Sequence, residues 1–499
     1  MARILIALVI VVCLSPLSMA SDKPNIILVY ADDLGWTDTS VQMMRGVSRS
    51  KSKLYQTPSL ERMAREGTVF SNAYSCAPTC TPSRAGIQFG KTPCRLRQTV
   101  VHDILAWERG IDCKDEISIA EMIKRSDPEY TTAHFGKWGF HPRSPEHAGY
   151  DVTDGNTNNG EGDYQNVKDR TPLPVDDPKR IFSITERAIS FIEEQSKAQK
   201  PFFVQVSHYA VHVGHAARQQ TIEKYLKLLE ASSATNKGKE PSGRQLKKAT
   251  YAAMIEDLDT SLGTILDKIG SLGNADNTYI IFTSDNGSEA FREDEPLRGG
   301  KATLWEGGIR VPTLVVGPGV QAGATCDTPI AGWDFYATIN ELVGGARLQK
   351  EFDGGSLLDV LQRGNDGSIN RNTAELIFHF PWYGGTLPMS VIRDGDHKLV
   401  MNLHNDEVRL FDLSQDLGEA SDLSERMPER TDQLRRRLIS YLSEVSAEDL
   451  DEMFDARIRE LNRYITRENE RAEPDLEALA RHAHALESTQ RARAAKEWR

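Results

Sequence analysis

Two acidic pairs in this chain stand just past apolar runs. Asp32 and Asp33 follow Asn25-Ile-Ile-Leu-Val-Tyr30, and Asp285 and Asn286 follow Tyr279-Ile-Ile-Phe-Thr283. Together they offer only oxygen donors, which favours a hard cation such as Ca2+ or Mg2+ over zinc. No His/Cys cluster of zinc spacing accompanies them. A second set of residues suits an anion. Cys80-Thr81-Pro82-Ser83-Arg84 places a thiol four residues before a guanidinium. Lys137 sits in Gly136-Lys137-Trp138, Lys301 closes Arg298-Gly299-Gly300-Lys301, and His212 follows a further apolar run. Fixed cations stabilise a transferring group that carries charge on several oxygens. A histidine near the leaving oxygen supplies a general acid. Each feature alone has a plainer reading. Asp-Asp-Leu-Gly is then a solvated turn, the cysteine a structural thiol beside a Pro-Ser turn, and each lysine a surface lysine. Their combination and order set this chain apart.

These residues need elements to position them. Pro24 breaks the chain before Asn25–Tyr30, a short apolar, β-branched run that reads as a buried strand. Tyr130–Phe135, Pro201–Ser207 and Tyr279–Thr283 read the same way, and each delivers a candidate residue past its end. In open α/β sheets, ligand sites lie at the carboxyl ends of strands. Helical spacing runs through Thr57–Gly67, Ile117–Lys124 and the set Ile184, Ala188, Phe191 and Ile192. Ile255, Leu258, Leu262, Ile265, Leu266 and Ile269 mark one face of a longer helix. A helix opening after Pro82 puts Cys80 near its N-terminus, where backbone N–H groups favour an anion. The alternation predicts an α/β fold, a mainly parallel sheet sandwiched by helices. Val311–Val316 is expected to continue that sheet. Near Gln362 the texture changes. Leu376–Phe380, Met389–Arg393, Lys398–Asn402 and Arg409–Asp412 are short strands at hairpin-like spacing, a small C-terminal antiparallel-sheet subdomain. The expected division is an export signal over 1–20, the catalytic α/β domain over 21–362, the C-terminal α+β subdomain over 363–446 and a charged helical tail over 447–499. Gly149–Asp163 reads as a long loop, and Ser232–Lys248 as a mobile, basic insert.

Composition narrows the function. With 499 residues, 39% hydrophobic and 26% charged, the chain is soluble and globular, with length for two or three domains. A net charge of -12 argues against general nucleic-acid binding, although local cations can oppose it. Arg3, the apolar run Ile4–Leu14 and Ser18-Met19-Ala20 form an export signal with a cleavage site. That run is too short to span a bilayer, and no later stretch could, so no stable membrane anchor is expected. Cys13 leaves with the signal. Cys76, Cys94, Cys113 and Cys326 then remain beside Cys80, free or paired in any of three ways.

Cys-x-Pro-x-Arg at Cys80–Arg84, with the acidic pairs, the lysines and His212 in this order, resembles the type I, formylglycine-dependent sulfatases of the alkaline-phosphatase superfamily. The resemblance runs from Asn25 to about Leu423 and includes Phe411-Asp-Leu-Ser-Gln-Asp-Leu-Gly-Glu. It implies that a maturation enzyme oxidises Cys80 to formylglycine. One hydroxyl of the aldehyde hydrate attacks sulfur, and loss of a proton from the other expels sulfate. It further implies Ca2+ held by Asp32, Asp33, Asp285, Asn286 and the converted Cys80. Arg84 would hold the hydrate, Lys137 and Lys301 would clamp sulfate oxygens, and His212 would protonate the leaving alcohol. Asn286-Gly287-Ser288 is a glycosylation sequon, but an inward ligand cannot carry a glycan. As this is the only sequon, a bacterial periplasmic or secreted protein is preferred. There is one departure. Many members read Gly-Lys-Trp-His, whereas residue 139 is glycine here. His141 or a water is then the candidate base for sulfate release. Trp382, Tyr383 and Arg393 are candidate contacts for a sulfated saccharide substrate. Two other readings stay open: a phosphate or phosphonate ester hydrolase on the same scaffold, and a sulfated-glycan binding protein without turnover.

Overall fold

The computed structural model describes residues 23–101, 115–139, 143–158, 174–232, 240–291, 296–382, 387–471 and 474–497. The export signal, Cys113, His141 and Tyr383 lie outside these residues. Among the described ones, no helix is long and apolar enough to cross a membrane.

Strand β1 (Asn25–Ala31) is the axis of the molecule, and every one of its residues is buried. Ile26, Leu28 and Tyr30 join one apolar core while Ile27, Val29 and Ala31 join another. Alternating side chains on a pleated strand enter two layers, so β1 needs cover on both faces. The helix Gly243–Ser271 covers one face through Leu258, Leu262, Ile265 and Ile269. Residues of the helices Cys80–Phe89, Ile119–Ser126 and Asp334–Leu342 build the other.

The remaining strands of the main sheet are β2 (Thr68–Phe70), β4 (Thr131–Gly136), β5 (Val152–Thr153), β6 (Phe202–Ser207), β7 (Thr278–Ser284), β8 (Leu314–Val316) and β9 (Ala324–Cys326). Their order is β5-β4-β6-β1-β7-β8-β2-β9. The run from β5 to β7 is parallel throughout. Antiparallel pairs begin only at β8, which lies against both β7 and β2. A separate two-stranded sheet pairs β3 (Ala73–Tyr74) with β10 (Ile330–Ala331). The expected fold class is the one observed.

Two expectations change. Val152–Thr153 pairs with β4 inside the stretch read as loop. Of the insert expected to be mobile, residues 233–239 lie outside the described set, and Gly243 already begins a helix. Ser242 caps that helix by accepting from the Gln245 N–H, and the Gln245 side chain reciprocates.

Strands β11 (Leu376–Phe380), β12 (Met389–Asp394), β13 (His397–Asn402) and β14 (Val408–Asp412) form an antiparallel sheet in sequential order. Its Phe378, Val391 and Val400 face the main core, while Ile377, Ile392 and Leu399 face the helix Pro428–Glu444. Leu434 and Leu438 of that helix are fully buried. Truncating either to alanine costs about 2–5 kcal/mol. The helix Leu450–Asn469 buries Met453 and Ala456 in the main core, so this part of the charged C-terminus packs rather than trails.

Buried ions stitch this sheet to the main one. Lys398 Nζ lies 2.8 Å from Glu306 and 2.7 Å from Glu419. Glu306 also accepts from Arg310 and from the Tyr74 hydroxyl, each at 2.7 Å.

Candidate active site

Register decides what meets at the sheet's edge. Ala31 pairs with Ser284, Tyr30 with Ser207, and Gly136 with Ser207. The next residues are therefore neighbours. Asp32 and Asp33 leave β1, Asp285 and Asn286 leave β7, Lys137 leaves β4, and the segment carrying His212 leaves β6. The strands are parallel, so all these residues emerge at the same, carboxyl-terminal edge. Asp33 has φ 62, in the left-handed region that Asp tolerates better than most residues. Its N–H donates to Asp285 Oδ1 at 3.0 Å, which ties the two strand ends together.

Cys80 is the first residue of a ten-residue helix buried along its whole length. Its location at a helix N-terminus is as expected. Arg84, one turn on, extends Nε and Nη2 to Asp285 Oδ2 at 3.0 and 2.7 Å, and Nη1 to the Lys137 carbonyl at 2.7 Å. Lys137 Nζ lies 2.5 Å from Asp32 Oδ2, and Lys301 Nζ lies 2.6 Å from Asp33 Oδ2. Backbone bonds hold the Lys301 segment in place: Lys301 N–H donates to the Ser288 carbonyl at 3.2 Å, and Ala302 N–H to the Pro78 carbonyl at 2.8 Å. The helix of Cys80 and the loop of Lys301 are thus joined.

Among the described residues, two oxygens in this cluster lack partners. Asp32 Oδ1 and Asn286 Oδ1 are buried and accept no hydrogen bond. Asn286 Nδ2 donates to Asp33 Oδ1 at 2.8 Å, which turns its carbonyl oxygen toward no protein donor. Buried acceptors left bare cost free energy, and bare oxygens on neighbouring strand ends fit a hard cation. Asp32, Asp33 and His212 also carry ligand-capable atoms within 4.8 Å of one another.

The electrostatics follow from this packing. Burial alone would raise the Asp32 carboxyl, but Lys137, His212, Arg84 and Lys301 bring it well below the carboxylate range. Burial and the Asp32 charge push Asp285 upward against the pull of Arg84. Burial lowers His212, with Asp32 opposing. The neighbouring histidines are different. His208 is fully buried, with Nε2 3.2 Å from Ser261 Oγ, and burial lowers it to about 3. His215 packs on the Tyr251 ring at 5.1 Å.

Gly139 has φ +79, and a Cβ there would lie 2.9 Å from Arg84 Cδ. A side chain at this position therefore conflicts with both the local backbone and the present place of Arg84.

The structure does not bring every candidate to this cluster. Arg393 is buried; it bonds to Tyr74 and to Asn72, and its guanidinium lies over the Tyr74 ring at 5.2 Å. It belongs to the ionic stitching around Glu306, so its guanidinium is already engaged within the protein. Trp382 is half-buried beneath Arg457, 5.2 Å from ring centre to guanidinium, against the helix Leu450–Asn469. Cys76, Cys94 and Cys326 are buried free thiols. Sequence reasoning missed Ser288 and Tyr251, whose hydroxyls lie 3.0 Å apart beside the Lys301 segment. No motif links them.

Known proteins resemble this chain in sequence and in fold. The sulfatase family profile matches residues 24–346. A sulfatase of Formosa agariphila is 29% identical over 494 residues, covering 82% of this chain and 86% of its own. Human N-acetylgalactosamine-6-sulfatase is 31% identical over 385 residues, covering 70% of this chain and 67% of its own. Among solved structures, Ps i-CgsB in complex with k-i-k-neocarrahexaose superposes with a TM-score of 0.68 at 24% identity, covering 84% of this chain and 93% of its own.

Proposed function

This chain belongs to the sulfatase family and is a sulfuric ester hydrolase, and we propose that it is exported and frees sulfate from sulfated saccharides through a formylglycine made from Cys80, beside Ca2+. One observation carries the reading. The unpartnered Asp32 Oδ1 and Asn286 Oδ1 lie at strand ends that Arg84, Lys137 and Lys301 also reach, next to the helix that begins with Cys80.

Asp32, Asp33, Asp285 and Asn286 would hold the ion, with the oxidised residue 80. The ion would stabilise an attacking oxygen and polarise the sulfate. A hydrated aldehyde at residue 80 would supply two hydroxyls, one as nucleophile toward sulfur and one whose proton loss would let sulfate leave. The remaining steps belong to the chain. Three carboxylates, Asp32, Asp33 and Asp285, face three cations, Arg84, Lys137 and Lys301. A bound dication would leave the site positive, which suits an anionic ester. Lys137 and Lys301 now lean on carboxylates, and they would turn to sulfate oxygens once an ion takes over those charges. His212 would protonate the leaving alcohol. With Gly139 unable to carry a side chain beside Arg84, the release step falls to a water or to His141.

The saccharide rests on relatives. N-acetylgalactosamine-6-sulfatase is named for a sugar, and structures of this fold hold k-i-k-neocarrahexaose or D-glucosamine-2-N,6-O-disulfate. A bacterial periplasmic or secreted setting, and a maturation enzyme acting on Cys80, complete the proposal.

The test is peptide mass spectrometry of protein from a host with the modifying enzyme, with sulfate release measured on sulfated sugars, an aryl sulfate and an aryl phosphate. The aldehyde at residue 80, and a preference for sulfate that Cys80→Ala abolishes, are expected. An intact thiol in fully active protein, or faster aryl phosphate cleavage, would overturn the reading.

A further inference from the structure

Arg45, Arg49, Lys51 and Lys53 place four cations in nine residues, and no acid occurs from Thr39 to Leu60. In a chain of net charge -12 this is a local reversal of sign. The segment is ordered. Ser50 is fully buried; its Oγ accepts from Gln42 Nε2 at 2.8 Å and lies 2.7 Å from the Val47 carbonyl. Ser52 N–H donates to the Thr39 carbonyl at 2.7 Å. A loop fixed in this way holds its like charges together, and an anion relieves their repulsion.

Arg49, Lys51 and Lys53 line a cleft of about 320 Å³. Lys248, from the first turns of the helix Gly243–Ser271, enters the same cleft, as do Tyr55 and Phe291. Lys51, Lys53 and Lys248 have no ion-pair partner among the described residues. The one acid among the described lining residues, Asp38, is buried, and its Oδ2 already accepts from Gly35 N–H at 3.0 Å and from the Tyr251 hydroxyl at 2.7 Å.

This cleft adjoins the active site. The Tyr251 hydroxyl lies 3.0 Å from Ser288 Oγ, and the Ser288 carbonyl accepts from Lys301 N–H at 3.2 Å. Tyr55 packs edge-on against the Tyr251 ring at 5.8 Å, and His215, three residues beyond His212, packs on that ring at 5.1 Å. One wall therefore separates the basic cleft from the lysine that faces Asp33.

We propose that the cleft is a second anion subsite. It takes a sulfate or carboxylate borne by a sugar next to the one whose ester is cut, with Phe291 offering apolar surface to a ring. The substrate is then a polyanionic saccharide chain rather than a singly sulfated sugar. This rests on the saccharide-sulfatase reading above.

The test uses the full chain with Lys51→Gln, Lys53→Gln and Lys248→Gln combined. Binding is titrated in a Cys80→Ala background, with a hexasaccharide sulfated on every ring and with a monosulfated monosaccharide. The triple variant should weaken the hexasaccharide roughly tenfold, as expected for three exposed ionic contacts, and shift the monosaccharide less than about twofold. The matching Lys→Arg triple should restore binding, which separates lost charge from lost fold. In protein with Cys80 intact, the glutamine triple should raise KM for the hexasaccharide and leave aryl sulfate turnover unchanged. Unaltered hexasaccharide affinity in the glutamine triple would overturn the subsite. Absence of sulfate release from any ester by the unmutated protein would instead sink the functional reading, and the binding titration would still decide the subsite.

Discussion

Arg84 grips a single oxygen of Asp285 with two of its nitrogens, at 3.0 and 2.7 Å, and both side chains are buried. Its third nitrogen holds the Lys137 carbonyl. One side chain thereby joins the ends of β7 and β4 beneath the helix of Cys80. Arg84→Ala would strand a buried carboxylate, and breaking such a pair costs about 3–5 kcal/mol. Arg84→Lys keeps the charge but cannot reproduce the three bonds to the two acceptors. Urea denaturation should show the lysine variant regaining part of the stability, while sulfate release stays close to that of the alanine variant.

The bare oxygens of Asp32 and Asn286 predict a stability that follows the ion. A ligand at a hundred times its Kd stabilises by about 2.7 kcal/mol. Thermal melting should move upward with Ca2+ and back with EGTA. Asn286→Ala should shrink that shift, because it removes one of the two unpartnered acceptors. A melting temperature and a rate both indifferent to EGTA would exclude the ion.

In its proposed role His212 serves as an acid only while protonated, and burial lowers its pKa below the ordinary histidine value of about 6.5. The active form is then lost as pH rises through that lowered value. For a sulfated sugar, kcat/KM should fall on the alkaline side from a midpoint below neutrality. His212→Gln should remove that limb and cost roughly 10²–10⁴-fold. A nitrophenyl sulfate, whose phenolate leaves without a proton, should lose far less.

His208 predicts an acid weakness of the fold itself. It is buried and neutral, with its pKa lowered to about 3. The unfolded chain takes up a proton below about pH 6.5 that the folded chain refuses. Stability is therefore complete above that value and declines toward pH 3. At pH 4.5 the loss from this residue is on the order of 3 kcal/mol. Melting curves at pH 7 and 4.5 should differ less for His208→Leu than for the unmutated protein.

The site residues that strand ends deliver were legible, because a short apolar run and the polar residue after it are both local features. Asp32, Lys137 and Asp285 are of this kind. Arg393 was not. An arginine following apolar residues on a strand reads as exposed, and only the tertiary partners Tyr74 and Asn72 make it internal. Strand β5 has two residues, too few to show a period, and it exists because β4 offers it an edge. The early start of the helix Gly243–Ser271 did have a signal, the Ser242–Gln245 capping box, which the polar character of the stretch masked. The basic cleft combines a loop and a helix some 200 residues apart, and proximity of that kind has no local trace.

Lys398 sits between Glu306 and Glu419 with all three side chains shut away from solvent. A protein trimmed at residue 346, where the family match stops, would retain Asp32, Cys80, Lys137, His212 and Lys301. It would lose Lys398, Glu419 and Arg393, and the Glu306 carboxylate, five residues from Lys301, would keep only Arg310 and the Tyr74 hydroxyl of these partners. The small sheet thus supplies buried charge partners to the portion that carries the candidate site, a keystone rather than an appendage.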